Sequence, residues 1–347
     1  MRSLLLSALR CEPTARRPLW IMRQAGRYLP EYRALRKEHS FEQLAGSPAL
    51  AAEVTLLPFK RYPLDAAIIF ADLMSPIPAL GIPVRFDPGP VVDQPISTPS
   101  DVAALPDVDA EEIGPTVIET LRRVRRELSD DVALLGFAGA PLSLAAYLVE
   151  GRGARGFPLL RAMAAADPQT FETLLAKLAR VAAAFLIEQA KAGAQAVQVF
   201  DSWGGILSRR DWERLVRPHL RDLLHEIGRA GVPRILYFQE SDHLLDSVLE
   251  LPAECFSLDW KVDLEAVREQ VGPDKALQGN LDPAVLLAGP DTTRSAAREL
   301  LQRIPPLGHV FNLGHGIQPG APLESVQALV DVVHDEPDDG FSGDAVA

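Results

Sequence analysis

Cysteine is nearly absent from this chain: among 347 residues only Cys11 and Cys255 are found, with neither CxxC nor HxC spacing. Two thiols so far apart offer neither a disulfide framework nor a thiolate zinc site, and they suit a reducing cytoplasm. No apolar run reaches the ~20 residues that a bilayer requires, so no membrane-spanning segment is expected. The nearest thing to a leader is the leucine-rich stretch at residues 4–9, but Arg10 interrupts it early, and a starting helix is expected there instead. Positive charge is also scarce. With 35 Lys and Arg against 47 Asp and Glu, the net charge is −12, which opposes nucleic-acid binding because that requires a basic surface to displace counterions. An anionic ligand would have to meet a local concentration of arginine. Repeats and Gly/Ser linkers are lacking too, so residues 1–334 read as one domain, followed by an acidic, glycine-bearing tail at 335–347 that is expected to be disordered.

What is present is a rhythm. Short apolar runs at residues 19–22, 66–70, 132–137, 196–200, 234–238, 255–258, 276–279 and 310–313 read as buried parallel strands. Amphipathic stretches such as 167–192 and 209–230 read as helices between them. Eight such βα units predict an α/β fold, a single (β/α)8 TIM barrel, with a Pro-rich excursion at 82–106 taking up the extra length. A doubly wound sheet is the alternative.

In a barrel the chemistry gathers at the C-terminal ends of the strands. The sequence places Arg23, Gln24 and Arg27 after the first run, Asp72 after the second and a turn at 136–141 containing Phe137 at the third. The fourth ends in Asp201, Ser202, Trp203, Gly204 and Gly205, and the fifth is followed by Gln239, Glu240 and Asp242. Asp259 follows the sixth, Asn280 and Asp282 the seventh, and His315 the eighth.

Each of these residues has a plain reading beside a functional one. Arg23 and Arg27, four apart, would share a face if their segment were helical; their planar guanidinium groups suit carboxylates, or they form surface ion pairs. Asp72, at the edge of an apolar run, is either a poorly solvated functional carboxylate or a helix cap. His315, set between two glycines, caps a turn or changes charge near neutral pH. Ser202 can bond a carboxylate but lacks the GxSxG setting of a hydrolase nucleophile. Phe137 and Phe200 are core residues or walls of a ligand site. No metal-ligand spacing is present, and the glycines at 136 and 139 are too few for a dinucleotide site.

Residues 20–32 (WIMRQAGRYLPEY) resemble the signature of the uroporphyrinogen decarboxylase family. Residues 67–72 (AIIFAD), 136–141 (GFAGAP) with Tyr147, 199–204 (VFDSWG), 278–283 (QGNLDP) and 312–316 (NLGHG) resemble it in the same order, so the resemblance runs from 18 to 334. It implies a carboxy-lyase of porphyrin biosynthesis: a (β/α)8 homodimer that removes CO2 from the four acetate arms of uroporphyrinogen III to give coproporphyrinogen III without cofactor or metal. By the same resemblance Asp72, Arg27, Tyr147 and His315 are catalytic. Arg23, Gln24, Arg27, Asp72, Tyr147, Ser202, His315, Phe137 and Phe200 contact the tetrapyrrole, with Asp72 facing its pyrrole N–H groups. The sequence departs from the family at residues 238–242 (FQESD), which add acid near an anion site, and at 151–156 (GRGARG), where Arg152 and Arg155 suggest a mobile lid. Two other functions are weighed: a corrinoid-linked methyltransferase of the same superfamily, which would need zinc ligands, and a non-catalytic tetrapyrrole carrier, which would have no need of Asp72.

Overall fold

Many helices of this Pro-rich chain begin at proline, whose fixed φ and missing N–H suit the first helical turn. Pro30–Glu38, Pro48–Leu56, Pro115–Glu127, Pro141–Glu150, Pro158–Ala166, Pro168–Lys191 and Pro290–Arg303 all start this way. The computed structural model describes residues 3–335, so all of the expected tail except Asp335 lies outside the described residues. The starting helix is Leu4–Leu9. The stretch expected at 167–192 forms Pro168–Lys191, with the Asp167 carboxylate accepting from the Thr170 amide at 3.1 Å as its cap. The stretch at 209–230 is broken instead: a short turn of helix passes through a π segment, Trp212–Val216, into Arg217–Arg229. Pro218, which has no N–H to return to the preceding turn, accounts for the widened segment.

Nine strands form among the described residues: β1 Ala66–Ile68, β2 Arg85–Phe86, β3 Pro90–Val91, β4 Ala133–Gly139, β5 Ala196–Asp201, β6 Arg234–Phe238, β7 Cys255–Leu258, β8 Ala276–Gln278 and β9 His309–Val310. Seven of them make one parallel sheet in the order β1-β4-β5-β6-β7-β8-β9, while β2 and β3 pair as a small antiparallel ribbon within the Pro-rich excursion. Every residue of β4, β5 and β7 is buried, as expected for strands covered by helices on one side and a curled interior on the other. The architecture is an α/β fold with a curled parallel sheet of seven strands.

The first apolar run, 19–22, differs from expectation. It makes a single bridge, Leu19 to Phe311, rather than a strand. Side-chain oxygens take three of its four amides: Asp65 accepts from Leu19 at 2.7 Å, Gln24 from Ile21 at 3.1 Å and Asn312 from Met22 at 2.9 Å. Local side-chain acceptors of this kind compete with a backbone ladder. The segment still reaches both edges of the sheet, since Phe311 N–H donates to the Pro18 carbonyl at 2.9 Å and Asp65 N–H to the Leu19 carbonyl at 2.9 Å. Inside the curl, Trp20 Nε1 donates to Gln278 Oε1 at 2.8 Å, and Gln278 Nε2 donates to Gln198 Oε1 at 3.0 Å and Ser257 Oγ at 2.8 Å. The second run stops short as well: the Phe70 amide turns to the Thr55 hydroxyl at 3.0 Å, ending β1 at Ile68.

Candidate active site

The polar residues that follow the parallel strands meet around one end of the sheet, and Arg23 stands in their midst. Its positive charge bears on Asp72, Tyr147, Tyr237 and His315, groups brought in from four separate parts of the chain. Arg23 is held by an unusual backbone, with φ of +62° in a turn rather than a helix. The condition under which Arg23 and Arg27 would share a helical face is therefore not met, since the helix begins only at Pro30. Arg27 is exposed, and its charge acts on Tyr32. Gly316 explains how Arg23 reaches the centre, because a Cβ there would lie 2.3 Å from Arg23 Cδ. The arginine stem crosses the glycine where no side chain stands.

Gln24, between these arginines, is fully buried. Its Oε1 accepts from the Ile21 amide and its Nε2 donates to the Ala66 carbonyl at 3.0 Å, so its amide fastens the turn to β1. Sequence reasoning grouped it with the ligand contacts, whereas its bonding is that of a clamp behind them.

Asp72 caps a turn rather than a helix. Oδ1 accepts from the Met74 amide at 2.9 Å, the cap of a tight turn, whereas Oδ2 has no hydrogen-bond partner among the described residues. Burial pushes the carboxyl up to about 6, against the Met74 bond and the Arg23 charge, which both favour the anion. Tyr147, on Pro141–Glu150, has its hydroxyl pushed up chiefly by burial and further by the Asp72 charge, with a hydrogen bond from Trp203 and then the Arg23 charge opposing. It therefore stays protonated.

His315 is held differently from the sequence expectation. Burial, then the charge of Arg23, push it down to about 4, so it is neutral at pH 7 and does not switch charge there. Its ring lies nearly parallel to Tyr237 on β6 (centroids 6.2 Å apart, 14°) and to Trp260 (6.2 Å, 29°). Nδ1 is 3.0 Å from the Tyr237 hydroxyl.

Aromatics are only 6% of the chain, yet they gather here. Phe137 on β4 meets Phe200 on β5 edge to face at 5.5 Å, and Phe200 meets Tyr237 at 5.4 Å. Tyr147, Phe157 and Trp203 form a second group, with Phe157 and Trp203 4.7 Å apart. Ser202 is half-buried between these groups in sequence, and makes no hydrogen bond among the described residues.

Several polar strand-end residues turn out to brace the loops. Asp259 is buried and accepts from the Glu240 amide at 2.5 Å and the Lys261 amide at 2.8 Å, while Asn280 Nδ2 donates to the Asp259 and Val262 carbonyls at 2.8 Å each. The extra acid at 238–242 is offset, since Glu240 pairs with Lys261 at 3.2 Å. Asp201, fully buried, accepts the Ser143 hydroxyl at 2.7 Å, and Ser143 in turn accepts the Trp203 amide at 3.2 Å. Burial pushes the Asp201 carboxyl up to about 7. At the loop read as a lid or a solvated loop, the Gly151 carbonyl accepts from Val92 at 2.7 Å, Arg152 bridges to Val91, and Phe157 is buried against Trp203.

Sequence reasoning missed Tyr237, Trp260 and Ser143. Tyr237 sits inside an apolar strand run, and a lone hydroxyl in a fully buried strand was the available signal. Among the described residues, no three His, Cys, Asp or Glu side chains come together as a metal site would require. No helix of the described residues is long and apolar enough to cross a membrane.

Comparison with known proteins bears on the whole chain. The family model described as uroporphyrinogen decarboxylase (URO-D) matches residues 1–336. The uroporphyrinogen decarboxylase of Syntrophotalea carbinolica is 45% identical over 323 residues, covering 93% of this chain and 94% of that protein. That of Carboxydothermus hydrogenoformans is 41% identical over 338 residues, covering 96% and 97%. A solved methyltransferase from Methanosarcina mazei is similar in fold, with a TM-score of 0.79 and 20% identity over 96% of this chain and 99% of that one.

Proposed function

The chain belongs to the uroporphyrinogen decarboxylase family and carries that family's carboxy-lyase activity in porphyrin biosynthesis; we propose that its chemistry takes place among Arg23, Asp72, Tyr147 and His315. The substrate reading is uroporphyrinogen III, converted at its four acetate arms to coproporphyrinogen III. The single observation that carries the site assignment is the lone Oδ2 of a half-buried carboxyl, Asp72, within reach of the Arg23 charge at the strand ends.

Losing CO2 from an acetate leaves an electron pair on carbon. A pyrrole protonated at a ring carbon accepts that pair itself, giving an exocyclic methylene that a second proton converts to methyl. The ring then returns its first proton, so each arm consumes one proton and releases one CO2. On this reading the reaction needs no organic cofactor or metal, and the protein supplies a fixed anion, a proton path and a dry pocket. Asp72 accepts the pyrrole N–H bonds and balances the ring cation. Binding that cation drives its carboxyl toward the ionised form that burial opposes. Arg23 and the exposed Arg27 receive carboxylates, concentrating positive charge in a protein of net charge −12. Tyr147, kept protonated, is the neutral donor beside Asp72, and neutral His315 accepts a hydrogen bond. Phe137 and Phe200 flank the macrocycle, Ser202 bonds an outer carboxylate, and Gln24 holds the arginine turn in place.

We read residues 1–334 as one (β/α)8 domain in which the 18–24 segment is the eighth stave; its bonds to both sheet edges and to Gln278 support this. A cytoplasmic homodimer completes the reading, with both thiols free. Anaerobic incubation with uroporphyrinogen III should yield the seven-, six-, five- and four-carboxyl products in turn, unaffected by prolonged chelation. A protein that binds the tetrapyrrole without decarboxylating it would be a carrier, and zinc-dependent turnover would favour a methyltransferase-like site.

A further inference from the structure

The hydroxyl of Tyr237 touches two groups, and a count of protons fixes how it does so. One is the Gly314 carbonyl at 3.3 Å and the other is Nδ1 of His315 at 3.0 Å. A carbonyl only accepts, and the buried Gly314 oxygen has no other donor among the described residues. Leaving it unpaired costs free energy, so the single Tyr237 proton goes to it. The hydroxyl oxygen then has lone pairs but no proton for His315, and Nδ1 must be the donor in that contact. His315 is neutral, with burial and Arg23 both opposing a second ring proton. Its one N–H is therefore on Nδ1, and Nε2 carries a bare lone pair.

We infer that Tyr237 is a positioning residue that fixes the tautomer of His315, aiming Nε2 as a hydrogen-bond acceptor for an N–H or O–H group of the substrate. This rests on the functional reading above only for the identity of that group. The ring is held for the task, since Tyr237 and Trp260 lie nearly parallel to it and restrict its rotation. Nε2 has no hydrogen-bond partner among the described residues, whereas Nδ1 is spent on the tyrosine. A bare nitrogen repels a carboxylate oxygen and attracts a pyrrole N–H or the O–H of a carboxylic acid, while neighbouring Arg23 has the opposite preference. The pair thus sorts donors from carboxylates at one place in the mouth.

The test is long-range 1H–15N NMR of protein labelled with 15N-histidine, at neutral pH and without substrate, with His315→Gln identifying the resonances. The expected spectrum has a pyridine-like Nε2 and a protonated, pyrrole-like Nδ1 for His315. Tyr237→Phe keeps the ring and removes the hydroxyl; it should shift the signal toward the Nε2–H form and lower kcat/KM roughly tenfold. A protonated Nε2 with a bare Nδ1 in the parent would overturn the inference, as would an unchanged His315 spectrum in Tyr237→Phe. If Tyr237→Phe does not fold, the parent spectrum still decides. Because no substrate is present, a wrong tautomer leaves the decarboxylase reading standing, and absent decarboxylation leaves the tautomer standing.

Discussion

The two ends of the parallel sheet use the same residue types in opposite ways. At the N-terminal end, Arg16 grips both oxygens of Asp65 at 2.7 Å each, Arg17 donates to the Leu301 and Ile304 carbonyls at 2.7 Å, and Arg268 donates to the carbonyls of Gly272, Lys275 and Gly308. His309, which opens β9, has Nε2 on the Gly279 carbonyl at 2.8 Å and Nδ1 facing Arg17 at 3.4 Å. At the C-terminal end, Asp72 keeps one oxygen unspent and His315 keeps one nitrogen unspent. Both histidines are held neutral by burial, so charge state does not distinguish them. For the carboxyls and imidazoles the difference lies in unused valence: Asp65 has both oxygens engaged and His309 both nitrogens. A group whose bonds are all made within the protein stabilises the fold, and one left with a free lone pair at a half-open surface is available to a ligand.

Substitutions at each end should therefore separate activity from stability. Apart from Asp72, the largest expected effect is at Arg23: Arg23→Gln should lower kcat/KM about a hundredfold through the lost charge-assisted carboxylate bond, and Arg27→Gln about tenfold, with melting nearly unchanged in both. At the other end Asp65→Ala strands Arg16 and the buried Leu19 amide, at an expected cost of about 3 kcal/mol in denaturant titration, while turnover per folded molecule stays at the parental level. A rate loss without a stability loss there would break the comparison. Gly316→Ala sets a methyl against the Arg23 stem and should weaken product binding roughly tenfold in fluorescence titration, again with little change in melting.

The smallest effect follows from the Asp72 carboxyl, raised from 3.8 to about 6 in the folded protein. A raised carboxyl favours folding where it is protonated, and that contribution is lost as pH climbs from the unfolded value through the folded one. Asp72→Asn, neutral throughout, should then melt above the parent at pH 8. The gap should be roughly 1 kcal/mol once the group's partial exposure is allowed for, and should close below about pH 4. A gap that widens toward acid would show the sign to be wrong.

Much of this contrast was legible in the sequence. The strand-end rule picked out Arg23, Asp72 and His315, and the Arg23 charge acts on both of the others at one end of the sheet. Apolar runs marked seven strands, because strands buried on both faces need no polar alternation. The 19–22 run misled because its amides are taken by Asp65, Gln24 and Asn312, acceptors too far away or too ordinary to single out by pattern. Whether Arg23 and Arg27 share a helical face was left open by their spacing, and the left-handed residue at 23 decides it against a helix. The neutrality of His315 and the bracing work of Tyr237, Ser143 and Asp259 depend on three-dimensional neighbours, which no local spacing encodes.

The central claim is that Asp72 stabilises charge developing on the substrate, beyond holding a turn. Asp72→Asn tests it directly, since the amide oxygen can keep the Met74 bond and still accept from pyrrole N–H groups while the negative charge is lost. Coproporphyrinogen binding and single-turnover decarboxylation should be measured on one preparation with its melting checked. The account predicts binding within about tenfold of the parent and a single-turnover rate lower by about a hundredfold or more. Normal binding with a near-parental rate would contradict it, leaving Asp72 as a turn cap alone.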